Sequence, residues 1–183
     1  AKLDEVMGSL SDYEKSVNLQ PHNSVALYNL ASLRYNQSDY NSALYWYDSA
    51  LSVDSRIEAI YFFRGSANFR LGNKESSLSD YSEAIVRNPN NSNAFNNRGI
   101  ARFLLGDELG AISDFQSALK IDPNASSYYS NRGFVKSNMG RHEDAIKDYN
   151  DAIRLNPNDF MAYYLRGASR FKLGAYELTI EDQ

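Results

Sequence analysis

Four arginines recur at intervals of 34 residues, and an aspartate follows each of them sixteen residues later. The four pairs are Arg64 and Asp80, Arg98 and Asp114, Arg132 and Asp148, and Arg166 and Asp182. In the one full unit that lacks this arginine, Leu30 takes its place and Trp46 replaces the aspartate. Because the two charges are present or absent together, we expect a structural salt bridge inside each unit, since a buried arginine requires such a partner. A row of arginines that binds an anionic ligand is the alternative.

Few other side chains could carry catalysis. The two histidines, His22 and His142, lie 120 residues apart, and His142-Glu143-Asp144 lacks the i, i+4 spacing that places two metal ligands on one helical face. The chain has no cysteine nucleophile and no G-x-x-x-x-G-K-[ST] loop for phosphate. We therefore expect no enzyme activity, no metal site and no cofactor.

Composition and charge narrow the class of partner. The formal net charge of −4 does not favour nucleic acid as a partner. No apolar run approaches the length that spans a membrane, and no signal-peptide pattern opens the chain. The lack of cysteine excludes disulfides but does not identify a compartment. We expect a soluble protein that neither inserts into a membrane nor binds nucleic acid.

The residues that punctuate the chain share the 34-residue period. Pro89, Pro123 and Pro157 lie 34 residues apart, and Pro21 lies two periods before Pro89. A fixed period of this length is typical of a solenoid, in which each unit stacks on its neighbours. We expect a single solenoid domain over residues 1–183 with a partial unit at 1–23, full units at 24–57, 58–91, 92–125 and 126–159, and a partial unit at 160–183.

Each unit predicts two helices. Small residues recur at positions such as Ala43, Ala111 and Ala145, and an aromatic residue follows each of them four residues later. Such spacings lie on one helical face. Turns such as Gly106-Asp107 separate the helices, and the proline ends the second helix because the residue before it is pushed out of the αR region. We expect about eleven antiparallel helices and no strands.

This pattern resembles the tetratricopeptide repeat, in a bacterial-type variant with Arg-Gly in the first helix and Asp in the second. Residues 94–123, AFNNRGIARFLLGDELGAISDFQSALKIDP, carry the resemblance best, and it covers essentially the whole chain. The resemblance implies an all-α fold, an α-solenoid of antiparallel helix pairs wound as a right-handed superhelix. It also implies a non-catalytic scaffold whose concave groove holds a peptide or protein segment.

The resemblance places a set of aromatic and carboxamide side chains in that groove. They are Tyr28, Asn29, Tyr35, Phe62, Phe63, Asn96, Asn97, Asn131, Phe134, Asn138 and Tyr164. Asparagine can donate to and accept from a peptide backbone at once, and aromatic neighbours supply apolar contact area. Asn29, Asn97 and Asn131 share one register, which favours this interpretation. The alternative for the aromatic residues is that they pack between adjacent first helices.

A second candidate site lies late in the first helix, where basic residues replace the tyrosine that the family usually has. Arg34, Arg102, Lys136 and Arg170 stand at this position and form a basic ladder that could meet an acidic segment, or could reach nearby acids. A third candidate, the Lys/Asn/Arg clamp by which some family members hold a chaperone's C-terminal carboxylate, is disfavoured. The matching positions hold Tyr28, Ser32, Phe63, Asn93 and Asn97, of which one is the required type.

Two further functions stay open beside a scaffold. Residues 1–23 align with the end of a unit and Gln183 falls within a second helix, so we expect the chain to be part of a longer protein. Apolar residues at the ends, Val6, Leu10, Leu173 and Ile180, could then support head-to-tail self-association. Alternatively, the chain could be the substrate-recruiting arm of a larger enzyme.

Overall fold

The computed structural model describes residues 2–174, and their side chains from Leu10 onward. This part of the chain forms ten α-helices and no strand, which confirms the prediction of an all-α fold of helix pairs. The helices are α1 (Lys2–Leu19), α2 (Ser24–Asn36), α3 (Tyr40–Val53), α4 (Glu58–Arg70), α5 (Lys74–Arg87), α6 (Ser92–Leu104), α7 (Glu108–Ile121), α8 (Ser126–Asn138), α9 (His142–Leu155) and α10 (Phe160–Lys172). The eleventh predicted helix, residues 176–183, lies outside the described residues. No helix of residues 2–174 is both long and apolar enough to cross a membrane.

Short polar side chains begin many of these helices. Asp39 accepts a hydrogen bond from the backbone N–H of Ser42, and Asn91 accepts one from that of Ala94. Such caps satisfy backbone donors that have no partner inside the helix. Between the paired helices, Gly106 adopts a φ of +87°, a conformation that glycine reaches without steric cost. These local preferences explain why the sequence breaks into helix pairs where it does.

The chain divides into two compact units, residues 1–89 (unit 1) and residues 90–183 (unit 2). The prediction that one continuous solenoid spans both stays a prediction. In unit 1, α2 packs on α3 and α4 packs on α5. The core of the α1–α4 region contains Leu27, Leu30, Ala31, Ala43, Tyr47, Ala50 and Ile60, each at most 2% exposed. Leu30 therefore lies in the core, at the position where the later 34-residue repeats have an arginine.

Unit 2 repeats this packing with α6 on α7, α8 on α9, and α10 on α9. Phe115 and Tyr149 are buried between the paired helices. The backbones approach closely there, since a Cβ added at Gly99 would lie 3.0 Å from the Phe115 ring and one at Gly133 would lie 2.9 Å from the Tyr149 ring. Glycine at these two crossings leaves room for the large ring of the partner helix.

Candidate functional site

The arginine and aspartate pairs form where the residues are described. Arg98 binds Asp114 through two hydrogen bonds, Nε to Oδ2 at 2.8 Å and Nη2 to Oδ1 at 2.7 Å. Arg132 binds Asp148 in the same fork geometry, at 3.0 and 2.6 Å. Paired, charge-assisted bonds of this kind are the strong ones.

In unit 1 the arginine of the pair binds its own aspartate and also a second aspartate. Arg64 Nε lies 3.1 Å from both carboxylate oxygens of Asp80, and its Nη1 lies 2.7 Å from Asp48 Oδ1 on α3. Asp48 is a second partner that the sequence analysis missed, because the corresponding positions hold residues of different types. The fourth pair cannot be described, since Asp182 lies outside the described residues. Its arginine, Arg166, donates to Asn150 Oδ1 at 2.7 Å.

Members of the basic ladder bind acids. Arg102 Nη1 lies 3.0 Å from Asp114 Oδ2, and Lys136 Nζ lies 2.8 Å from Asp148 Oδ2. Arg34 pairs with Glu14 at 2.7 Å. Each of these three cations has an acidic partner within the protein, which largely neutralises its positive charge. The structure therefore gives little support to a ladder that meets an acidic segment.

Three of the predicted groove asparagines form a chain of amides in unit 2. Asn131 Nδ2 on α8 donates to Asn96 Oδ1 on α6 at 2.9 Å, and Asn96 Nδ2 donates to Asn97 Oδ1 at 3.1 Å. Asn96 is buried, whereas Asn97 and Asn131 are half-buried. Within residues 10–174, Asn97 Nδ2 and Asn131 Oδ1 have no hydrogen-bond partner. The amide chain thus ends in one donor and one acceptor.

The aromatic residues of unit 1 contact one another. The Phe63 ring centroid lies 6.2 Å from that of Tyr28, 6.3 Å from that of Tyr35 and 5.2 Å from that of Phe62. All four rings are half-buried. Tyr28, Tyr35 and Phe63 therefore pack between the adjacent first helices α2 and α4, while Phe62 contacts Phe63 on its own helix and Tyr81 on α5. Asn29, on the same helix as Tyr28, is half-buried.

The aromatic residues of unit 2 are more open. Phe134 is 40% exposed and packs edge-on against Phe103, with ring centroids 5.5 Å apart. Tyr164 on α10 is 69% exposed. Asn138 is exposed, and its Nδ2 donates to the backbone carbonyl of Phe134 at 2.8 Å. Unit 2 therefore combines partly satisfied amides with accessible rings.

The remaining candidates contribute less. Among the described residues, no group of three or more His, Cys, Asp or Glu side chains could hold a metal ion. Of the apolar residues predicted to be exposed at the ends, Leu10 packs against the core of unit 1 and Leu173 is 42% exposed. The side chains of Val6 and Ile180 lie outside the described part of the chain.

The chain matches two family models, one described as a TPR repeat over residues 138–174 and one as a tetratricopeptide repeat over residues 62–126. Together they cover more than half of the chain. No curated protein matches it in sequence.

Solved structures with the same fold include a tetratricopeptide repeat protein from Parabacteroides merdae, with a TM-score of 0.84, 23% identity and coverage of 99% of this chain and 72% of that one. YrrB, described as a TPR protein with an unusual peptide-binding site, has a TM-score of 0.78 and 19% identity, covering 93% and 88%. The first TPR of Spaghetti, bound to the HSP90 peptide SRMEEVD, has a TM-score of 0.63 and 26% identity, covering 66% and 96%.

Proposed function

Because the chain belongs to the tetratricopeptide repeat family, whose members typically act as non-catalytic scaffolds for protein–protein interaction, we propose that the first helices of unit 2 bind an extended segment of a partner protein. The observation that carries this proposal is the amide chain from Asn131 through Asn96 to Asn97. Predicted groove residues of unit 1 then play a smaller part, since their rings contact one another.

The two ends of the amide chain complement a peptide backbone. Asn97 offers an amide donor to a backbone carbonyl, and Asn131 offers an acceptor to a backbone N–H. Reversing all three amides exchanges the two roles but still leaves one donor and one acceptor. Because Asn96 is buried and bonded to both neighbours, it holds the two ends in place before a partner arrives. Such preorganisation lowers the entropic cost of binding.

The aromatic residues supply apolar contact area beside these amides. Phe134 is on α8 three residues after Asn131, so both side chains lie on the same face of the helix. Phe103 supports the Phe134 ring edge-on. Tyr164 adds an exposed ring on α10. Large aromatic rings of this kind are the usual anchors of protein interfaces.

The partner segment that fits best is extended and close to neutral. Arg102 and Lys136 form ion pairs with Asp114 and Asp148, so their charges no longer provide the main electrostatic attraction for an acidic segment. The YrrB and Spaghetti structures support peptide binding as a use of this fold, but the clamp residues expected for a chaperone tail do not match here. We therefore do not expect the partner of this chain to be an acidic chaperone tail.

A capture experiment with matched variants tests the proposal. The 1–183 chain, the Asn97→Ala/Asn131→Ala double variant and the control variants Lys147→Ala and Glu83→Ala are each immobilised and exposed to a lysate of the source organism. Partners retained by the unmodified chain and both controls, but lost by the double variant, support the proposal. Partners that the double variant retains in full show that binding occurs elsewhere.

A further inference from the structure

The second helices carry a row of fully buried rings, Tyr47, Tyr81, Phe115 and Tyr149. In unit 1, the residue fifteen positions before the ring supplies a hydroxyl to it. Tyr47 Oη lies 3.3 Å from Ser32 Oγ, and Tyr81 Oη donates to Ser66 Oγ at 3.3 Å. In unit 2, Phe115 has no hydroxyl and the matching residue is the apolar Ile100.

The row is interrupted once. Tyr149 keeps its hydroxyl, but Phe134 stands where a serine would bond it. Tyr149 Oη is buried and has no hydrogen-bond partner; within residues 10–174 the only other buried side-chain polar atom in this condition is Arg34 Nε. An unmade hydrogen bond at a buried hydroxyl costs free energy, and the other three rings of the row avoid that cost.

The alignment of the repeats places the Tyr149 hydroxyl next to α8, the helix that carries Asn131. A Cβ added at Gly133 would meet the Tyr149 ring, just as one added at Gly65 would meet the Tyr81 ring. Since the two rings lie alike against their first helices, Tyr149 Oη ends beside residue 134 as Tyr81 Oη ends beside residue 66. Phe134, whose side chain is 40% exposed, thus stands at the repeat position that Ser66 holds beside Tyr81. Side chains at an exposed position change rotamer readily.

The hydroxyl is available as a donor. Burial raises the pKa of Tyr149 above its ordinary value, and the charge of Asp148 raises it further, so the group stays protonated at neutral pH. A neutral acceptor suits this place better than a carboxylate, because a buried carboxylate would lose its hydration.

We propose that Tyr149 is a specificity-determining residue whose hydroxyl donates a hydrogen bond to a side-chain carboxamide, from Asn or Gln, of the bound segment. The carboxamide enters where the Phe134 ring turns aside. A side chain suits this place better than the partner's backbone, because Tyr149 Oη is buried whereas Asn97 and Asn131, which would bond the backbone, are half-buried. This inference rests on the proposed function, since it concerns the same face of α8.

The test uses displayed random peptides selected on the 1–183 chain. Peptides whose binding depends on Asn97 and Asn131 are synthesised, and their Kd is measured for the unmodified chain, for Tyr149→Phe and for Phe134→Ser. The control variant is Tyr47→Phe, which removes the matching hydroxyl in unit 1. We expect selected peptides to contain Asn or Gln, and we expect Tyr149→Phe to weaken binding about fivefold to tenfold. Replacing that Asn or Gln by Leu should weaken binding to the unmodified chain but not to Tyr149→Phe.

The variants keep the result interpretable. Tyr149→Phe removes one oxygen atom that bonds nothing in the protein, so it should fold normally. Phe134→Ser should give Tyr149 an internal partner, as Ser66 does for Tyr81, and should also weaken the peptide. Equal affinity of Asn97- and Asn131-dependent peptides for the unmodified chain and Tyr149→Phe would overturn the inference and leave the proposed function intact. Failure to recover any peptide that depends on these asparagines would overturn both.

Discussion

Units 1 and 2 use the same helix pairs but satisfy their polar and aromatic groups differently. In unit 1, Arg64 has two acid partners, Asp48 and Asp80, and the rings around Phe63 contact one another. In unit 2, Asp114 is shared by Arg98 and Arg102, the amide chain keeps two unpaired ends, and Phe134 stays 40% exposed. Exchanging a few side chains on the same pair of helices can therefore leave polar and aromatic groups available to a partner instead of satisfying them within the repeat.

The largest expected effect is a loss of stability that differs between the charge networks of the two units. Asp114→Ala leaves Arg98 and Arg102 half-buried beside each other, and breaking such a buried pair costs about 3–5 kcal/mol of unfolding free energy. Asp80→Ala should cost less, because Arg64 keeps Asp48 at 2.7 Å, whereas Arg102 keeps Asp107 at the longer distance of 3.6 Å. Urea unfolding of both variants gives the comparison. Equal losses would show that the second acid of unit 1 does not matter.

The shared frame predicts a second, smaller effect that is the same in both units. Ala43 on α3 and Ala145 on α9 are fully buried where paired helices cross. Replacing either by Leu should overpack the crossing and cost about 1–3 kcal/mol. Thermal unfolding measures both variants, and an unchanged melting temperature in one of them would mean that the two frames are not equivalent.

Buried hydroxyls give a third contrast. Tyr47→Phe loses the bond to Ser32 and should destabilise the protein by about 0.5–1.5 kcal/mol. Tyr149→Phe should leave stability unchanged or raise it, since the lost hydroxyl has no partner. Denaturant midpoints of the two variants decide the matter. A loss at Tyr149 as large as that at Tyr47 would indicate that the hydroxyl is already satisfied.

The smallest effect concerns pH. Hydrogen bonds from Ser42 hold the pKa of Asp39 below its ordinary value, so this cap stabilises α3 above the unfolded pKa and is lost as the pH falls through the folded one. The corresponding residues before the second helices of unit 2 are Asp107, which caps α7 by accepting from the backbone N–H of Gly110, and Arg141, whose side chain makes no cap hydrogen bond. Asp39→Asn should retain the cap and reduce the acid sensitivity of unfolding. If stability depends on pH in that variant as it does in the unmodified chain, Asp39 does not contribute to the acid sensitivity.

Much of this frame could be predicted from the 34-residue period alone. The helices, their glycine turns and the pairing of Arg98 with Asp114 repeat in step with the sequence. Asp48 was not predictable, because the corresponding positions hold Ser82, Gln116 and Asn150. Burial of Phe63 depends on the rings of Tyr28 and Tyr35 on the neighbouring helix, and a period in one sequence does not report that contact.

The mismatch at Tyr149 was readable but needed a comparison across units. Ser32 with Tyr47 and Ser66 with Tyr81 pair polar with polar, whereas Phe134 with Tyr149 does not. The amide chain was predicted only as a shared register of Asn97 and Asn131. That Asn96 joins them depends on the side-chain rotamers on α6 and α8, which residue spacing does not specify.

The central claim is that unit 2 holds a partner segment through the ends of the amide chain. The most direct test is isothermal titration calorimetry of an identified partner segment against Asn97→Ala, Asn131→Ala and the matched unit 1 variant Asn29→Ala. The account predicts a loss of about 0.5–1.5 kcal/mol in binding free energy for each unit 2 variant, little change for Asn29→Ala, and tolerance of moderate salt. Unchanged affinity in both unit 2 variants, or a steep loss of affinity with salt, would contradict it.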